Sequence, residues 1–84
     1  MSLNIVYTPA GYAAYKKYAG QDDVVILVGS GVYAASEDIE HSVVGLADDF
    51  KAAGLSAPSG LELITYEQFV ELTVQHHPAV NWHD

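Results

Sequence analysis

Short runs of aliphatic residues alternate along this chain with stretches in which apolar residues recur at helical spacing. The run Val24–Val28 is apolar at every position, which is typical of a strand covered on both faces at the centre of a parallel sheet. Further strands are predicted at Leu3–Tyr7, Ser42–Leu46 and Leu61–Ile64. Because strands that alternate with helices form parallel sheets through right-handed crossovers, we expect an α/β domain. Its architecture should be a small open, mainly parallel β-sheet of about four to five strands with helices on both faces.

Residues that favour helix ends mark the segments between these strands. Thr8 followed by Pro9 is typical of a helix start, since the hydroxyl caps the first turn and proline has no N–H to leave unpaired. The helix that begins there is expected to continue through Ala10–Ala19 and to end at Gly20. Shorter helices are predicted from Val32 to about Ile39 and over Asp48–Ala53.

The last predicted helix has the clearest start signal. Thr65 and Gln68 fit a capping box, in which each side chain accepts a hydrogen bond from the backbone N–H of the other residue. Pro78 is expected to end this helix and to leave residues 79–84 as a tail. The predicted apolar face consists of Tyr66, Phe69, Val70, Thr73, Val74 and His77. The predicted polar face consists of Glu67, Gln68, Glu71 and Gln75.

The composition bounds the size of the hydrophobic core. With 84 residues the chain is expected to be a single domain, residues 1–84, that buries about 60 to 65% of the surface of its unfolded state. Yet 50% of its residues are hydrophobic, and six of these are tyrosines. This is more apolar material than so small a core readily covers, so burial against partner subunits is expected.

The charge and the cysteine count exclude several classes of function. A formal net charge of -8 repels phosphate backbones, so direct binding of nucleic acid is not expected. The absence of cysteine excludes disulfides, thiolate metal ligands and thiol nucleophiles. The longest aliphatic run, Val24–Val28, is far shorter than a membrane span, and no signal peptide is evident. We expect a soluble, cytoplasmic protein without membrane contact.

The turn after the Val24–Val28 strand allows three interpretations. Gly29-Ser30-Gly31 opens a G-x-G-x-x-A pattern, and Asp48 or Asp49 follows at about the distance of the acid that binds a ribose hydroxyl in dinucleotide-binding folds. A weaker version places a small anion against the backbone amides of Gly29, Ser30 and Gly31. The simplest interpretation is a strand-to-helix turn that needs the backbone freedom of glycine.

The remaining polar residues do not indicate a catalytic or metal site. His76 and His77 point about 100° apart on a helix, and no carboxylate spacing completes a metal site with them. No Ser-His-Asp arrangement or carboxylate pair can be argued from the spacing. The prediction is therefore a non-enzymatic chain with no catalytic residue, no cofactor and no bound metal.

The sequence resembles the DsrH/TusB family over nearly its whole length. The resemblance rests on Gly31–Ala35, on Leu46–Leu55, and most specifically on Tyr66–His76 followed by Trp82. It implies a small α/β subunit with the DsrEFH-like fold that assembles with related subunits, TusC/TusD-like or DsrE/DsrF-like, into a hetero-hexamer. Such complexes serve 2-thiolation of the tRNA wobble uridine or dissimilatory sulfur oxidation.

One departure from the family pattern favours the tRNA-thiolation branch. The resemblance implies that the persulfide-bearing cysteine lies on a sister subunit. The sulfur-oxidation versions tend to have a further cysteine in the first helix, where this chain has Ala13, Ala14 and Tyr15. We therefore expect an accessory subunit that docks a cysteine-bearing sister subunit. A homo-oligomer and a small nucleotide- or anion-binding domain that uses the Gly29–Gly31 turn remain the alternatives.

Aromatic and apolar residues next to the matched segments are the predicted interface. Large aromatic side chains supply contact area and are enriched at such surfaces. Trp82→Ala is accordingly expected to weaken assembly more than folding. The predicted interface residues are Tyr12, Tyr15, Tyr18, Val32, Tyr33 and Trp82.

Overall fold

Short strands and helices alternate through the computed structural model, which describes residues 3–18, 24–36, 43–57, 61–76 and 79–82. The strands are β1 (Leu3–Val6), β2 (Val24–Leu27), β3 (Val43–Leu46), β4 (Glu62–Ile64) and β5 (Ala79–Trp82). The α-helices are α1 (Pro9–Tyr18), α2 (Ala47–Ala52) and α3 (Tyr66–Gln75), and a 3-10 helix spans Gly29–Ser36. In this described part of the chain, no helix is long and apolar enough to cross a membrane.

The strands form one five-stranded sheet in the order β4-β3-β2-β1-β5, and every neighbouring pair is parallel. The α/β fold predicted from the sequence is therefore confirmed, with the wholly apolar strand β2 at its centre. From β1 to β4 the chain moves steadily toward one edge, and it then returns to place β5 on the far side of β1. Right-handed crossovers that run in opposite directions put their helices on opposite faces of a sheet. This explains why α3 lies on a different face from the earlier helices.

The first face of the sheet, which we call the closed face, is covered by α1, the 3-10 helix and α2. Helix side chains are deeply buried here, among them Tyr12 and Phe50. The Phe50 ring occupies the space in which a side chain at Gly45 would lie, so helix α2 packs directly on strand β3. The buried residues of this cluster are Val6, Tyr12, Tyr15, Val25, Leu27, Val32, Ala34, Ala35, Val43, Phe50 and Leu61.

The second face, which we call the open face, is covered by α3. Its buried cluster comes from the strands and their ends: Leu3, Ile5, Ile26, Val28, Leu46 and Ile64. From α3 only Phe69 and Leu72 pack against this cluster among the partly buried apolar residues. None of the ten residues of α3, all of which are described, is fully buried. The two faces of the sheet are thus covered to different extents.

Helix α1 begins as the sequence predicts. The Thr8 hydroxyl oxygen accepts a hydrogen bond of 2.9 Å from the Gly11 amide, which satisfies one of the unpaired donors of the first turn. At Gly11 an added side chain would collide with the main-chain oxygen of Trp82. Glycine therefore lets the first turn of α1 approach the end of β5.

Several predicted boundaries and one predicted tail are corrected by the structure. The second helix begins at Gly29 rather than Val32 and is a 3-10 helix, because the Gly31 amide already bonds to the carbonyl of Val28. Helix α2 starts at Ala47, directly after β3. The predicted tail is in part strand β5, since Ala79–Trp82 pairs with β1 in parallel register. Predictions that fall on Ala19, Gly20, 37–42, His77, Pro78 and 83–84 lie outside the described residues.

The orientation of α3 also differs from the prediction. Tyr66, Val70 and Val74, which were predicted to share one apolar face with Phe69, are 61%, 41% and 65% exposed. The helix instead turns Phe69 and Leu72 toward the sheet. The capping box that starts the helix is confirmed: the Thr65 hydroxyl accepts from the Gln68 amide at 3.1 Å, and the Gln68 side-chain oxygen accepts from the Thr65 amide at 2.8 Å.

Candidate functional site

The Gly29–Gly31 turn lies at the carboxyl ends of the parallel strands, where α/β folds usually bind ligands. Gly29 has a φ of +53°, a conformation that L-residues with a side chain rarely adopt. The interpretation as a strand-to-helix turn that needs glycine is therefore confirmed at this position. The turn borders an open, shallow cavity of about 290 Å³ whose lining residues are Gly29, Ser30, Tyr33, Asp49, Ala52 and Ala53.

Two of the three amide donors of this turn, those of Gly29 and Gly31, are engaged by protein acceptors. The Gly29 amide donates a hydrogen bond of 2.7 Å to a carboxylate oxygen of Asp49, and the Gly31 amide donates to the Val28 carbonyl at 2.8 Å. Asp49 thus joins the end of β2 to the start of α2 and places its negative charge at the cavity. This arrangement weighs against an anion bound to these amides. It also weighs against a dinucleotide, because the acid that would meet the ribose is hydrogen-bonded to the turn.

The structure corrects half of the predicted interface. Tyr12, Tyr15 and Val32 are at most 5% exposed and belong to the core of the closed face. Their side chains fill the space between the sheet, α1 and the 3-10 helix, so they present almost no area to a partner. The rings of Tyr12 and Tyr15 stack with centroids 6.1 Å apart, which is an interaction within this chain.

Trp82 is anchored on its own chain as well. Its indole N–H donates a hydrogen bond of 2.9 Å to the side-chain oxygen of Asn4, which is 2% exposed. Its ring meets the Tyr15 ring edge-on at a centroid distance of 6.1 Å. The Trp82 carbonyl accepts a hydrogen bond from the Tyr7 amide at 3.0 Å. These contacts fix β5 against β1, and the half-buried indole keeps part of its surface accessible.

The two other predicted interface residues have different positions. Tyr33 lies on the 3-10 helix beside the cavity and is 51% exposed, so its ring is accessible to a partner. Tyr18 is the last residue of α1, and its side chain lies outside the described residues.

Sequence reasoning missed the exposed apolar stripe of α3, which consists of Tyr66, Val70 and Val74. These residues are spaced four apart and so lie along one side of the helix. Phe69 and Leu72 point in another direction, toward the sheet. The sequence contained one signal of this second apolar surface. Leu72 is apolar, yet it lies on a different side of the helix from Tyr66, Val70 and Val74. The apolar surface of α3 is therefore wider than a single buried face.

The described residues offer no grouped metal ligands: residues 3–18, 24–36, 43–57, 61–76 and 79–82 contain no cluster of three or more His, Asp or Glu side chains. The sequence also contains no thiol. What this part of the chain does provide is apolar side-chain surface on several elements. The exposed large apolar residues are Tyr33, Leu55, Leu63, Tyr66, Val70, Val74 and Val80.

Comparison with known proteins agrees with the architecture. A family model described as DsrH like protein matches residues 9–79. Protein TusB from Cronobacter sakazakii is 35% identical over 71 aligned residues, which cover 71% of this chain and 75% of the relative. The solution NMR structure of protein Tm0979 from Thermotoga maritima is 32% identical and superposes with a TM-score of 0.68, covering 93% of this chain and 97% of that one. The chain therefore belongs to the DsrH-like family of sulfur-relay subunits.

Proposed function

We propose that this chain is a non-catalytic subunit of a cytoplasmic sulfur-relay complex and supports 2-thiolation of the tRNA wobble uridine. Its role is to dock a sister subunit whose cysteine carries the persulfide. One observation carries this proposal: a chain that belongs to a sulfur-relay family has no cysteine anywhere in its sequence. A persulfide forms on a thiolate, so the covalent sulfur must reside on another chain.

The surface of the chain supports a role in assembly. Large apolar residues stay exposed on the 3-10 helix and on β4, and three of them, Tyr66, Val70 and Val74, adjoin one another on α3. Contiguous apolar surface left in contact with water is typical of protein–protein interaction sites. The charge of -8 leaves contact with tRNA to other components of the complex, because phosphates and carboxylates repel each other.

Two findings favour tRNA thiolation over sulfur oxidation: the identity of a similar protein and the absence of cysteine from helix α1. One curated relative is named Protein TusB. Helix α1 has Ala13, Ala14 and Tyr15 where the sulfur-oxidation versions tend to have a cysteine.

Deletion of the gene is expected to reduce the 2-thiouridine content of tRNA, measured by mass spectrometry of digested nucleosides. An unchanged content together with impaired oxidation of reduced sulfur compounds would favour the sulfur-oxidation branch instead.

Assembly is tested by co-expression of this chain with the two related α/β subunits of its organism. We expect a hetero-hexamer, measured by native mass spectrometry, in which this chain is present at equal stoichiometry with its sisters. A chain that remains outside the complex, or that forms only homo-oligomers, would contradict the docking role.

A further inference from the structure

We propose that the α3 stripe is a docking surface for a protein partner that presents an apolar groove bordered by Lys or Arg side chains. The stripe consists of Tyr66, Val70 and Val74, as defined above. The inference names the partner chemistry within the assembly role already proposed, and it therefore rests on that proposed function. Three observations support it: the geometry of the stripe, the charge beside it, and the place of the basic residues of the chain.

The geometry suits recognition of a helix in a groove. Residues at i, i+4 and i+8 form a continuous apolar line along a helix, and such anchors are typical of amphipathic helices that bind in hydrophobic grooves. Tyr66 is held by the Phe69 ring, with centroids 6.0 Å apart, so one anchor is oriented before binding. Because Phe69 and Leu72 attach α3 to the sheet, the stripe can be covered by a partner without removing the helix from the domain.

The charge beside the stripe has a single sign. Glu67 and Glu71 lie about 60 to 100° around the helix from Val70, on the flank opposite Phe69. Both are exposed, and Glu71 accepts a hydrogen bond of 3.3 Å from Gln75. All three basic residues of the chain, Lys16, Lys17 and Lys51, lie on α1 and α2, which cover the closed face. The border of the stripe is therefore acidic. Only a partner with basic residues facing this border supplies the complementary charge.

The same charges argue against a second copy of this chain as the occupant. When two α3 helices pack antiparallel through their stripes, the flank with Glu67 and Glu71 meets the same flank of the other helix. Like charges placed opposite each other across an interface oppose association. The net charge of -8 on each copy adds to that repulsion. A basic, non-identical partner is the occupant that the electrostatics favour.

The main test measures the dissociation constant of the complex with the cysteine-bearing sister subunit. Val70→Ser combined with Val74→Ser should weaken binding by about tenfold or more, as expected for the loss of interface anchors. Val80→Ser is the matched control, because Val80 and Val70 are both 41% exposed. It should leave the affinity within about twofold, and thermal melting of each variant should show that the fold is intact. Unchanged binding by the double variant, or a loss confined to Val80→Ser, would overturn the proposal.

A charge test addresses the acidic border. Glu67→Gln with Glu71→Gln should slow association and reduce its dependence on salt, because border charges act mainly on the association rate. Glu62→Gln with Asp48→Asn removes the same number of exposed charges elsewhere and serves as the control. An equal loss of salt dependence in both pairs would show that net charge alone acts, and would overturn the basic-border part of the proposal.

A probe that does not depend on the sister subunit separates this inference from the proposed function. A synthetic helical hairpin peptide, with leucines lining the groove between its two helices and lysines elsewhere, should shift the NMR amide signals of α3 in the isolated chain. A peptide with serine in place of leucine should not shift them. If no sister subunit binds but the leucine peptide binds α3, only the proposed function fails. If the peptide signals map elsewhere, the docking surface is wrong.

Sedimentation of the isolated chain completes the test. The chain should not self-associate through α3 at the concentrations used for binding. A dimer that dissociates on Val70→Ser with Val74→Ser, and not on Val80→Ser, would identify a second copy as the occupant and would overturn the basic partner.

Discussion

The two faces of the sheet differ in what their helices contribute to the core. On the closed face, helix side chains such as Tyr12, Val32 and Phe50 are at most 1% exposed. On the open face, α3 has no fully buried residue, and the buried cluster comes from strands and strand ends. The helices of this chain thus cover the closed face closely. The open face is covered by a helix that keeps a second apolar surface exposed.

This difference follows from the order of the strands. Successive crossovers in one direction stack α1, the 3-10 helix and α2 on the closed face, whereas the single return crossover from β4 to β5 places α3, alone among the described helices, on the other. One helix of ten residues cannot cover a five-stranded sheet as fully as three helical segments. A small domain of this topology therefore acquires an under-covered face, which suits a subunit that assembles with others.

The largest effect is expected from a matched pair of phenylalanines. Phe50→Ala removes a ring that is 1% exposed on the closed face and should lower the free energy of unfolding by about 3 to 5 kcal/mol. Phe69→Ala removes a half-buried ring from the open face and should cost about 1 to 2 kcal/mol. Urea unfolding of both variants measures the difference. Equal costs would mean that α3 is packed as tightly as the helices of the closed face.

The next effect concerns Trp82. Trp82→Phe removes the indole donor and leaves the buried side-chain oxygen of Asn4 without that hydrogen bond, which should cost about 1 to 3 kcal/mol of stability. In an Asn4→Ala background the same change should cost less, and the double-mutant cycle reports the coupling. The expectation that Trp82→Ala weakens assembly more than folding stays a prediction. A melting temperature unchanged by Trp82→Phe would show that the hydrogen bond to Asn4 adds little to stability.

A smaller effect distinguishes the two helix caps. Thr65→Ala removes the capping box of α3 and should cost about 1 kcal/mol, detected mainly as faster amide hydrogen exchange in the first turn of α3. Thr8→Ala removes the corresponding cap of α1. Because α1 packs in the core of the closed face, Thr8→Ala should instead lower the free energy of global unfolding. Global unfolding that responds equally to both changes would show that α3 is not a locally separable element.

The smallest effect is expected at the stripe itself. Val74 is 65% exposed, so Val74→Ser should change the free energy of unfolding by no more than about 0.5 kcal/mol. Urea unfolding of the isolated chain measures it. A cost above about 1.5 kcal/mol would place Val74 in the core and remove the basis for a docking surface.

The sequence was sufficient to predict the sheet but not the use of every apolar residue. The unalternating run of β2, the Thr8 cap and the Thr65–Gln68 capping box depend on local chemistry, and the structure confirms all three. Strand β5 was missed because its pairing with β1 joins residues about 76 positions apart, as between Leu3 and Ala79, and no local signal reports such a contact.

The assignment of Tyr12, Tyr15 and Val32 to the interface was wrong for a related physical reason. Aromatic residues are favoured both in cores and at interfaces, so their presence alone does not show which side of a helix is covered. Tyr12 and Tyr15 proved to be core residues, while Tyr66 on α3 proved to be exposed. The difference in burial between these tyrosines arises from the direction of the crossover that carries each helix. The hydrophobic pattern within a single helix does not report that direction.

The most direct test of the docking account follows sulfur through the assembled complex. The complex with its cysteine-bearing sister is loaded with labelled persulfide sulfur, and the label on each separated chain is measured with and without this chain present. We predict that no label becomes covalently attached to this chain, and that sulfur transfer onward from the sister falls when this chain is omitted. Label bound covalently to this chain, or transfer that proceeds equally well without it, would contradict the account.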